Sequence, residues 1–269
     1  MSYVIQSDDT PITVIDAAAK GGSRRSFLWC YLGDEGDTVI DFTATRSRDG
    51  PSRMLHGYQG YLQADAYSGY HEVLATEEIV EVGCWAHARR YFIEAEALHP
   101  QECAQVLSRI RAMYAIEAQA NERCLTFAER EALRIEKAKP ILGEIHGWLL
   151  AHKDRILPKS PLGEAIGYAV RQWGALTRYA EDGRLAIDNN PSERTLRHIA
   201  IGRKNWVFAG SHEGGRRAAT IYSIVMTCKR NGIDPFAYLS SILDRLPSCP
   251  AKDLWHLTPR GWKEARTPK

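Results

Sequence analysis

The stretch DNNPSERTLR, residues 188–197, places a single glutamate among amides and arginines. Asn190 is suited to the N-cap of a helix and Pro191 to its first turn, so that Glu193 falls where a capping-box carboxylate bonds back to the cap. The stretch therefore predicts the start of a helix. A second interpretation stays open, in which Glu193 binds a cation that a nucleic-acid phosphate also contacts.

The residues that follow this stretch are strongly basic. Between Glu193 and Arg230 the chain has eight positively and two negatively charged residues, a local net charge of +6, whereas the net charge of the whole chain is +2. Such clustering of positive charge is typical of a surface that contacts phosphates. A solvated helix face explains the same pattern without a ligand, so the rest of the chain has to distinguish the two.

The composition is that of an ordinary globular protein. The 269 residues are 44% hydrophobic and 25% charged, and no apolar run is long enough to span a bilayer. The N-terminus has neither the basic nor the apolar region of a secretory signal. The six cysteines include no C-x-x-C pair, and the Cys84–His87 half-site lacks a second pair. We therefore expect reduced thiols in a cytoplasmic protein, without a disulfide or zinc framework.

The character of the sequence changes near residue 85. Before it, short β-branched and aromatic runs alternate with turn-forming residues and predict strands. From residue 86 to about 182 the apolar residues recur at helical spacing, and Thr126 followed by Glu129 predicts a capping-box start. These patterns predict an α/β fold, a mixed sheet flanked by helices.

Shorter elements are predicted after the DNNPSERTLR stretch. We expect an extended connection over residues 199–212 and a helix over about 213–230 that ends at Asn231–Gly232. Asp234–Pro235 predicts the opening of a further helix that runs through Leu246. The last residues, rich in Pro, Lys and Trp, predict a tail that lies on the surface.

Two further carboxylates fall at strand positions. Asp8 lies early in the first predicted strand, and Asp65 lies at the end of a later one. Together with Glu193 they offer three carboxylates without His or Cys, a donor set that suits Mg²⁺ or Mn²⁺. Two such ions about 3.5–4 Å apart can activate a water and stabilise a leaving oxygen in phosphodiester cleavage. Each acid also has a structural alternative, because Asp8 can cap a turn with Thr10 and Asp65 can start the turn AYSG.

Several segments carry a family resemblance. They are DDTP (8–11), LQADAYSGY (62–70), GCWAHARRYF (83–92), the block from residue 186 to 225, and NGIDPFAYL (231–239). Together, over nearly the whole chain, they resemble the transposases of the insertion sequence 66 family. The resemblance implies a ribonuclease H-like core with an Asp-Asp-Glu triad, interrupted before the glutamate by an all-helical insertion. It divides the chain into a first core part (1–85), the insertion (86–182), a second core part (183–246) and a C-terminal tail (247–269).

Carried over residue by residue, the resemblance implies that Asp8, Asp65 and Glu193 form the catalytic triad and bind two Mg²⁺ or Mn²⁺ ions. The family motif at the first acid reads Asp-Glu-Thr-Pro, where this chain has Asp8-Asp9-Thr10-Pro11. Asp9 is therefore the alternative first acid, and the position in the motif favours Asp8. Family members also carry upstream segments for DNA binding, a helical zipper and a zinc region, whereas this sequence begins seven residues before Asp8. We therefore expect a shortened chain.

DNA is the partner that the resemblance implies. The basic residues expected to contact it are His87, Arg89, Arg90, Arg194, Arg197, Arg203, Lys204, Arg216 and Arg217. Trp206 either stacks on a base or belongs to the core.

The activity implied is hydrolysis of phosphodiesters at the ends of a mobile element, followed by joining of the freed 3′-hydroxyl to target DNA. A homo-oligomer, accessory proteins encoded by the element, and a location at the bacterial nucleoid are expected with it, and no membrane. Two alternatives stay open. One is a catalytically silent fragment that binds DNA or a longer transposase, and the other is a structure-specific nuclease on the same core.

Overall fold

Strands occupy the β-branched and aromatic runs of the first 85 residues, and helices occupy most of the rest. The computed structural model describes residues 2–76 and 78–266. The strands in the described residues are β1 (Val4–Ile15), β2 (Ser23–Gly33), β3 (Thr38–Thr43), β4 (Gly60–Gln63), β5 (Ile79–Val82) and β6 (Phe208–Ala209). The α-helices are α1 (Asp49–Met54), α2 (His71–Leu74), α3 (Trp85–Ala95), α4 (Pro100–Glu122), α5 (Phe127–Leu133), α6 (Lys139–His152), α7 (Pro161–Arg171), α8 (Trp173–Thr177), α9 (Asn190–Trp206), α10 (His212–Arg230), α11 (Pro235–Ile242) and α12 (Pro259–Glu264). The predicted mixed α/β architecture is confirmed.

The chain divides into two compact units. The first unit comprises Met1–Gly57 and Pro191–Lys269, and the second unit comprises Tyr58–Asn190. The second unit therefore includes β4 and β5 together with the helices from α2 to α8. The four-part division of the sequence, and the ribonuclease H-like character of its core, stay predictions. In the described part of the chain, no helix has the length and apolar character that a membrane span requires.

A mixed sheet forms the base of the first unit. β1 pairs antiparallel with β2, so that Asp8 lies opposite Cys30, and β2 pairs antiparallel with β3. The short strand β6 joins β1 in parallel, opposite Thr13 and Val14. Because successive side chains of a strand point to opposite faces, the even-numbered residues of β1 share one face and the odd-numbered residues share the other.

Helices α9 and α10 cover the even-numbered face of β1. A single hydrophobic cluster joins this face to both helices. Its buried members are Ile12, Val14, Leu28, Cys30, Leu32, Ile40, Phe42, Leu196, Ile199, Ala219 and Met226. Helix α10 approaches the sheet closely at Gly215, where an added Cβ would lie 2.5 Å from the Phe42 ring. A glycine is therefore required at this contact.

The side chains of α10 also satisfy backbone groups of β3. The N–H group of Thr38 donates to the Thr227 hydroxyl at 3.0 Å. The N–H group of Ile40 donates to the Ser223 hydroxyl at 2.7 Å. These bonds protect backbone groups of β3 that β2 does not pair, a common requirement at the edge of a sheet. The helix predicted over about 213–230 is confirmed as α10.

Helix α9 continues where the sequence predicted an extended connection. The prediction is wrong for residues 199–206, which stay helical, and only β6 remains extended. The reason is that Ile199 follows Leu196 at helical spacing and both are buried against the sheet. Packing of this apolar face outweighs the weak local signal that favoured an extended chain.

The C-terminal residues form short helical segments, of which the last ends at Glu264. Residues 251–257 form a 3₁₀ segment and α12 follows it. Leu257 is buried with Tyr238 and Ile242, and the Trp262 ring nitrogen donates to the Ser241 hydroxyl at 2.6 Å. The described part of the predicted tail thus packs against α11 within the first unit, and residues 267–269 of that prediction lie outside the described residues.

In the second unit, β4 and β5 pair in parallel with Gly60 opposite Ile79. The buried side chain of Gln63, at the end of β4, donates to the carbonyl oxygens of Gly83 and Ala186 at 3.1 and 2.7 Å. The capping box predicted at Thr126 is confirmed, because the Thr126 and Glu129 side chains accept from each other's backbone N–H groups.

A buried ion pair joins helices of the second unit. Arg134 has no exposed surface, and its Nε and Nη2 each donate to a carboxylate oxygen of Glu117 at 2.7 Å. Its Nη1 donates to the carbonyl oxygens of Tyr179 and Asp182 at 2.6 and 2.9 Å. The five-residue π-helical turn that starts at Arg134 brings this side chain inward.

We expect Arg134→Ala to lower the free energy of unfolding by about 3–5 kcal/mol, because it leaves the Glu117 carboxylate buried without its main counter-charge. Urea denaturation followed by circular dichroism measures the change. Arg109→Ala is the control, since Arg109 pairs with Glu144 at 2.8 Å near the surface and its loss should cost less than about 1 kcal/mol. Equal losses in the two variants would contradict this account of the second unit.

Candidate active site

Asp8 and Asp9 are adjacent in β1 and therefore face opposite sides of the sheet. Asp8 shares the face of Ile12 and Val14, and its cross-strand neighbour Cys30 belongs to the cluster that α9 and α10 cover. Burial raises the pKa of the Cys30 thiol, and the nearby Asp8 carboxylate raises this pKa further. Asp8 is thus on the face that α9 covers. The alternative in which Asp8 caps a turn is wrong, because this residue lies inside a continuous strand.

Asp9 lies on the opposite face and is held by an ion pair. Arg46 donates to its Oδ1 from Nε at 2.8 Å and from Nη2 at 2.7 Å. The Asp9 side chain is only 6% exposed, and its cross-strand neighbour Trp29 is fully buried. A carboxylate neutralised by a guanidinium group is poorly suited to bind a metal cation. This arrangement favours Asp8 over Asp9 as the first acid.

Glu193 lies in the first turn of α9 and is partly buried. The buried side chains of this helix are Ser192, Leu196 and Ile199. On the same face, the Arg203 guanidinium group donates to the carbonyl oxygen of Pro11 in β1. The helix that carries Glu193 is therefore fastened to the strand that carries Asp8, through a shared apolar cluster and a hydrogen bond.

Asp65 belongs to the second unit and follows β4. Its Oδ1 accepts the backbone N–H of Tyr67 at 3.1 Å, and Ala66 between them has a left-handed φ of 63°. The turn that Asp65 was expected to start is therefore present. The pKa of the Tyr168 hydroxyl is raised mainly by burial and further by negative charges, among them that of Asp65.

The segment that leads into α9 is held by Asp188, which is buried. Its Oδ2 accepts from the Tyr114 hydroxyl at 2.8 Å and from the Asn190 side-chain amide at 2.7 Å. Its Oδ1 accepts the backbone N–H of Asn190 at 3.1 Å. The sequence predicted that Asn190 would be the N-cap, whereas the helix begins at Asn190 itself. The side-chain acceptor at this helix start is instead the carboxylate of Asp188, two residues before Asn190.

The thiol of Cys84 accepts a hydrogen bond from the segment that leads into α9. The backbone N–H of Asn189 donates to its sulfur at 3.3 Å. Burial raises the pKa of the Cys84 thiol to about 11, so the thiol is protonated at neutral pH. Through this hydrogen bond, the buried Cys84 side chain helps to hold the residues before α9.

The sequence identified neither Tyr114 nor Asp188 as a residue that holds the start of α9. Their hydrogen bond joins positions 74 residues apart in the chain. No local pattern encodes such a pairing, although an aspartate directly before Asn-Asn-Pro at a helix start was a usable signal for the cap.

The basic residues predicted to contact DNA fall into both units. Those of the second unit, His87, Arg89 and Arg90, lie on α3, and those of the first unit lie on α9 and α10. The exposed cations of α9 are Arg194, Arg197 and Lys204. On α10, Arg216 and Arg217 are exposed and both approach Glu213, at 3.4 and 3.3 Å. Their contacts with DNA stay predictions.

Arg203 of the basic stretch and the nearby Trp206 contact the sheet or its apolar cluster. Arg203 bonds the backbone of β1, as described above. Trp206 packs against the cluster shared by β1 and α9, which confirms the core interpretation of this side chain.

The donor chemistry of the predicted triad suits a hard metal ion, because all three side chains are carboxylates. Within residues 2–76 and 78–266, no group of three or more His, Cys, Asp or Glu side chains is arranged to hold a metal ion. The first unit contributes Asp8 and Glu193, and the second unit contributes Asp65. The metal assignment stays a prediction.

Comparison with known proteins gives a consistent result. Residues 1–217 match the family described as "Transposase IS66 family", and residues 223–260 match the "IS66 C-terminal element". Two uncharacterized proteins of Sinorhizobium fredii, y4hP and y4qI, are 32% and 35% identical to this chain over 97% and 96% of its length. The matches cover 51% and 50% of those proteins, so the chain spans about half the length of the curated relatives it matches.

We expect Tyr114→Phe to lower the free energy of unfolding by about 1–3 kcal/mol, because the buried Asp188 carboxylate loses a hydrogen-bond donor. The matched control is Tyr179→Phe. The Tyr179 hydroxyl is also buried but forms no hydrogen bond with any described residue, so its removal should leave stability unchanged or slightly raised. Denaturant titrations of both variants measure the difference, and a Tyr114→Phe variant as stable as the wild type would show that this bond does not hold the segment.

Proposed function

Because the chain belongs to the insertion sequence 66 family of transposases, we propose that it is the catalytic region of a DNA transposase. In this proposal it hydrolyses the phosphodiester at the ends of a mobile element and then joins the freed 3′-hydroxyl to target DNA. The reaction class is phosphoryl transfer between oxygen atoms of DNA. The ends of the element and the target are the DNA partners, in a homo-oligomeric complex that can include proteins encoded by the element.

The packing of β1 against α9 is the observation that carries this proposal. The Asp8 face of β1 and the Glu193 helix share one apolar cluster, and Arg203 bonds α9 to β1 at Pro11. Two of the three family acids therefore stand on rigid elements rather than on loops. Rigid placement matters because the charge that develops in phosphoryl transfer is stabilised by groups fixed beforehand.

The residues that would hold metal are Asp8, Asp65 and Glu193. Bound Mg²⁺ or Mn²⁺ would supply Lewis acidity and activate the attacking oxygen. The chain's own side chains have two further tasks. The carboxylates set the charge of the site, and the exposed cations of α9, among them Arg194 and Arg197, neutralise the phosphates that flank the reacting one.

We expect Asp8→Asn, Asp65→Asn and Glu193→Gln each to reduce Mn²⁺-dependent cleavage of a plasmid that carries element ends by at least about 100-fold. Loss of one carboxylate removes several kcal/mol of charge stabilisation, and each 1.36 kcal/mol is about tenfold in rate. The control is Glu213→Gln, an exposed glutamate of α10 that pairs only with neighbouring arginines among the described residues. Full activity in Glu193→Gln would remove Glu193 from the site.

The same assay separates the alternative functions. If the wild-type chain binds plasmid DNA but nicks none, it is a silent binding module. If it cuts branched DNA and never joins a 3′-hydroxyl to a second molecule, it is a structure-specific nuclease. Joined products that carry the element end are the outcome expected of a transposase.

A separate variant distinguishes the two candidate first acids. We expect Asp9→Asn to retain cleavage and to lower the free energy of unfolding by about 1–3 kcal/mol. The substitution breaks an ion pair in which the Asp9 side chain is buried and the Arg46 side chain is exposed. Cleavage and urea denaturation are measured on the same preparation. Loss of cleavage in Asp9→Asn, together with activity in Asp8→Asn, would make Asp9 the first acid.

A further inference from the structure

A groove of about 840 Å³ lies in the second unit, where α3 packs against α4. Three arginines line it, Arg89 and Arg90 from α3 and Arg111 from α4. One carboxylate, Glu96, also lines the groove. The lining therefore carries a net positive charge, which favours an anionic ligand.

Two of these guanidinium groups have no counter-charge in direct contact. Arg89 and Arg111 are exposed and form no ion pair with any residue of the described ranges 2–76 and 78–266. Arg89 does lie near the Tyr114 hydroxyl, whose pKa it tends to lower against the larger effects of burial and Asp188. Guanidinium groups that face a groove with five N–H donors each are suited to bind phosphate oxygens.

The remaining walls of the groove are not those of a simple phosphate site. Ile93 and Leu107 contribute apolar surface, and Ser108 and Tyr114 contribute hydroxyl-bearing side chains. A duplex presents mainly phosphates to a groove between two helices, so these apolar walls would have no partner. A single strand presents bases beside its phosphates, and proteins bind such strands by combining cations with apolar and aromatic surface.

Asn190 also lines the groove. Asn190 is the first residue of α9, and Glu193 lies three residues further along this helix. The residues of the groove and the start of α9 are also tied together, because Tyr114 and Asn190 both bond the Asp188 carboxylate. A strand in the groove would thus contact Asn190, the first residue of α9.

We propose that the α3–α4 groove binds a single strand of DNA. This assignment rests on the proposed function for its biological role, but the binding itself does not require catalysis. Arg89 and Arg111 contact successive phosphates, and the apolar wall between them accommodates a base.

The test is fluorescence anisotropy with a labelled single-stranded oligonucleotide and with the duplex of the same sequence, in EDTA, at several salt concentrations. We compare the wild-type chain, Arg111→Ala, and the control Arg123→Ala, which removes an exposed arginine of the α4 C-terminus that does not line the groove. Thermal melts establish that the variants are folded.

We expect Arg111→Ala to weaken binding of the single strand about tenfold and to reduce the slope of log affinity against log salt by about 0.7, the value for one phosphate contact of a single strand. Duplex affinity should not change in this variant, and Arg123→Ala should behave as the wild type. An unchanged affinity for the single strand in Arg111→Ala would overturn the proposal. Equal losses for single strand and duplex would overturn it too, because the groove would then be a general phosphate surface.

Failure of this proposal and failure of the proposed function give different results. If the chain binds the single strand through Arg111 but never cleaves DNA, the groove proposal stands and the proposed transposase function fails. If the wild-type chain cleaves DNA and Arg111→Ala binds the single strand as tightly as the wild type, the proposed function stands and the groove proposal fails.

Discussion

The alternation of side chains along β1 is the constraint on which the first unit depends. A strand with a two-residue period has to present one apolar face to each layer that covers it. The even-numbered face, with Ile12 and Val14, is covered by α9 and α10, and the odd-numbered face holds Asp9 beside the buried Trp29. A shift of β1 by one residue would exchange Asp8 and Asp9, which would expose the apolar face and bury the ion pair of Asp9 against α9. The apolar pattern therefore determines which acid faces α9.

Helix α9 has one face that packs against β1 and one face that is turned away from it. Leu196, Ile199 and Arg203 recur at helical spacing and lie against β1. By the same 100° per residue, Arg194 and Arg197 fall on the side turned away from β1, and Lys204 falls on the flank near Glu193; all three are exposed. Glu193 lies at the border between the two faces, which agrees with its partial burial. A carboxylate in this position is held by the core on one side and is flanked by cations on the other.

Much of this arrangement follows from the sequence, and the remainder does not for identifiable reasons. The strands, the helix α10 and the capping box at Thr126 have local signals, because turn formers, caps and apolar spacing act within a few residues. The choice between Asp8 and Asp9 was also within reach, since Ile12 and Val14 set the period of β1. The extension of α9 to Trp206 depends instead on packing against β1, and the bond from Tyr114 to Asp188 spans 74 residues. Contacts of that range have no local pattern.

The basic stretch shows how a count of charges misjudges a surface. Eight cations follow Glu193 as far as Arg230, but they do not have the same role. Arg203 donates to a β1 carbonyl, and Arg230 donates to the carbonyl oxygens of Gly33 and Asp37 at 2.6 and 2.9 Å. These two guanidinium groups satisfy backbone acceptors of the sheet, and burial lowers the pKa of Arg230 against the opposing effect of nearby acids. The charge that the first unit offers to a phosphate therefore comes mainly from α9 and from the exposed start of α10. On α9, which packs on β1 with one face, the side turned away from β1 carries Arg194 and Arg197, one and four residues after Glu193.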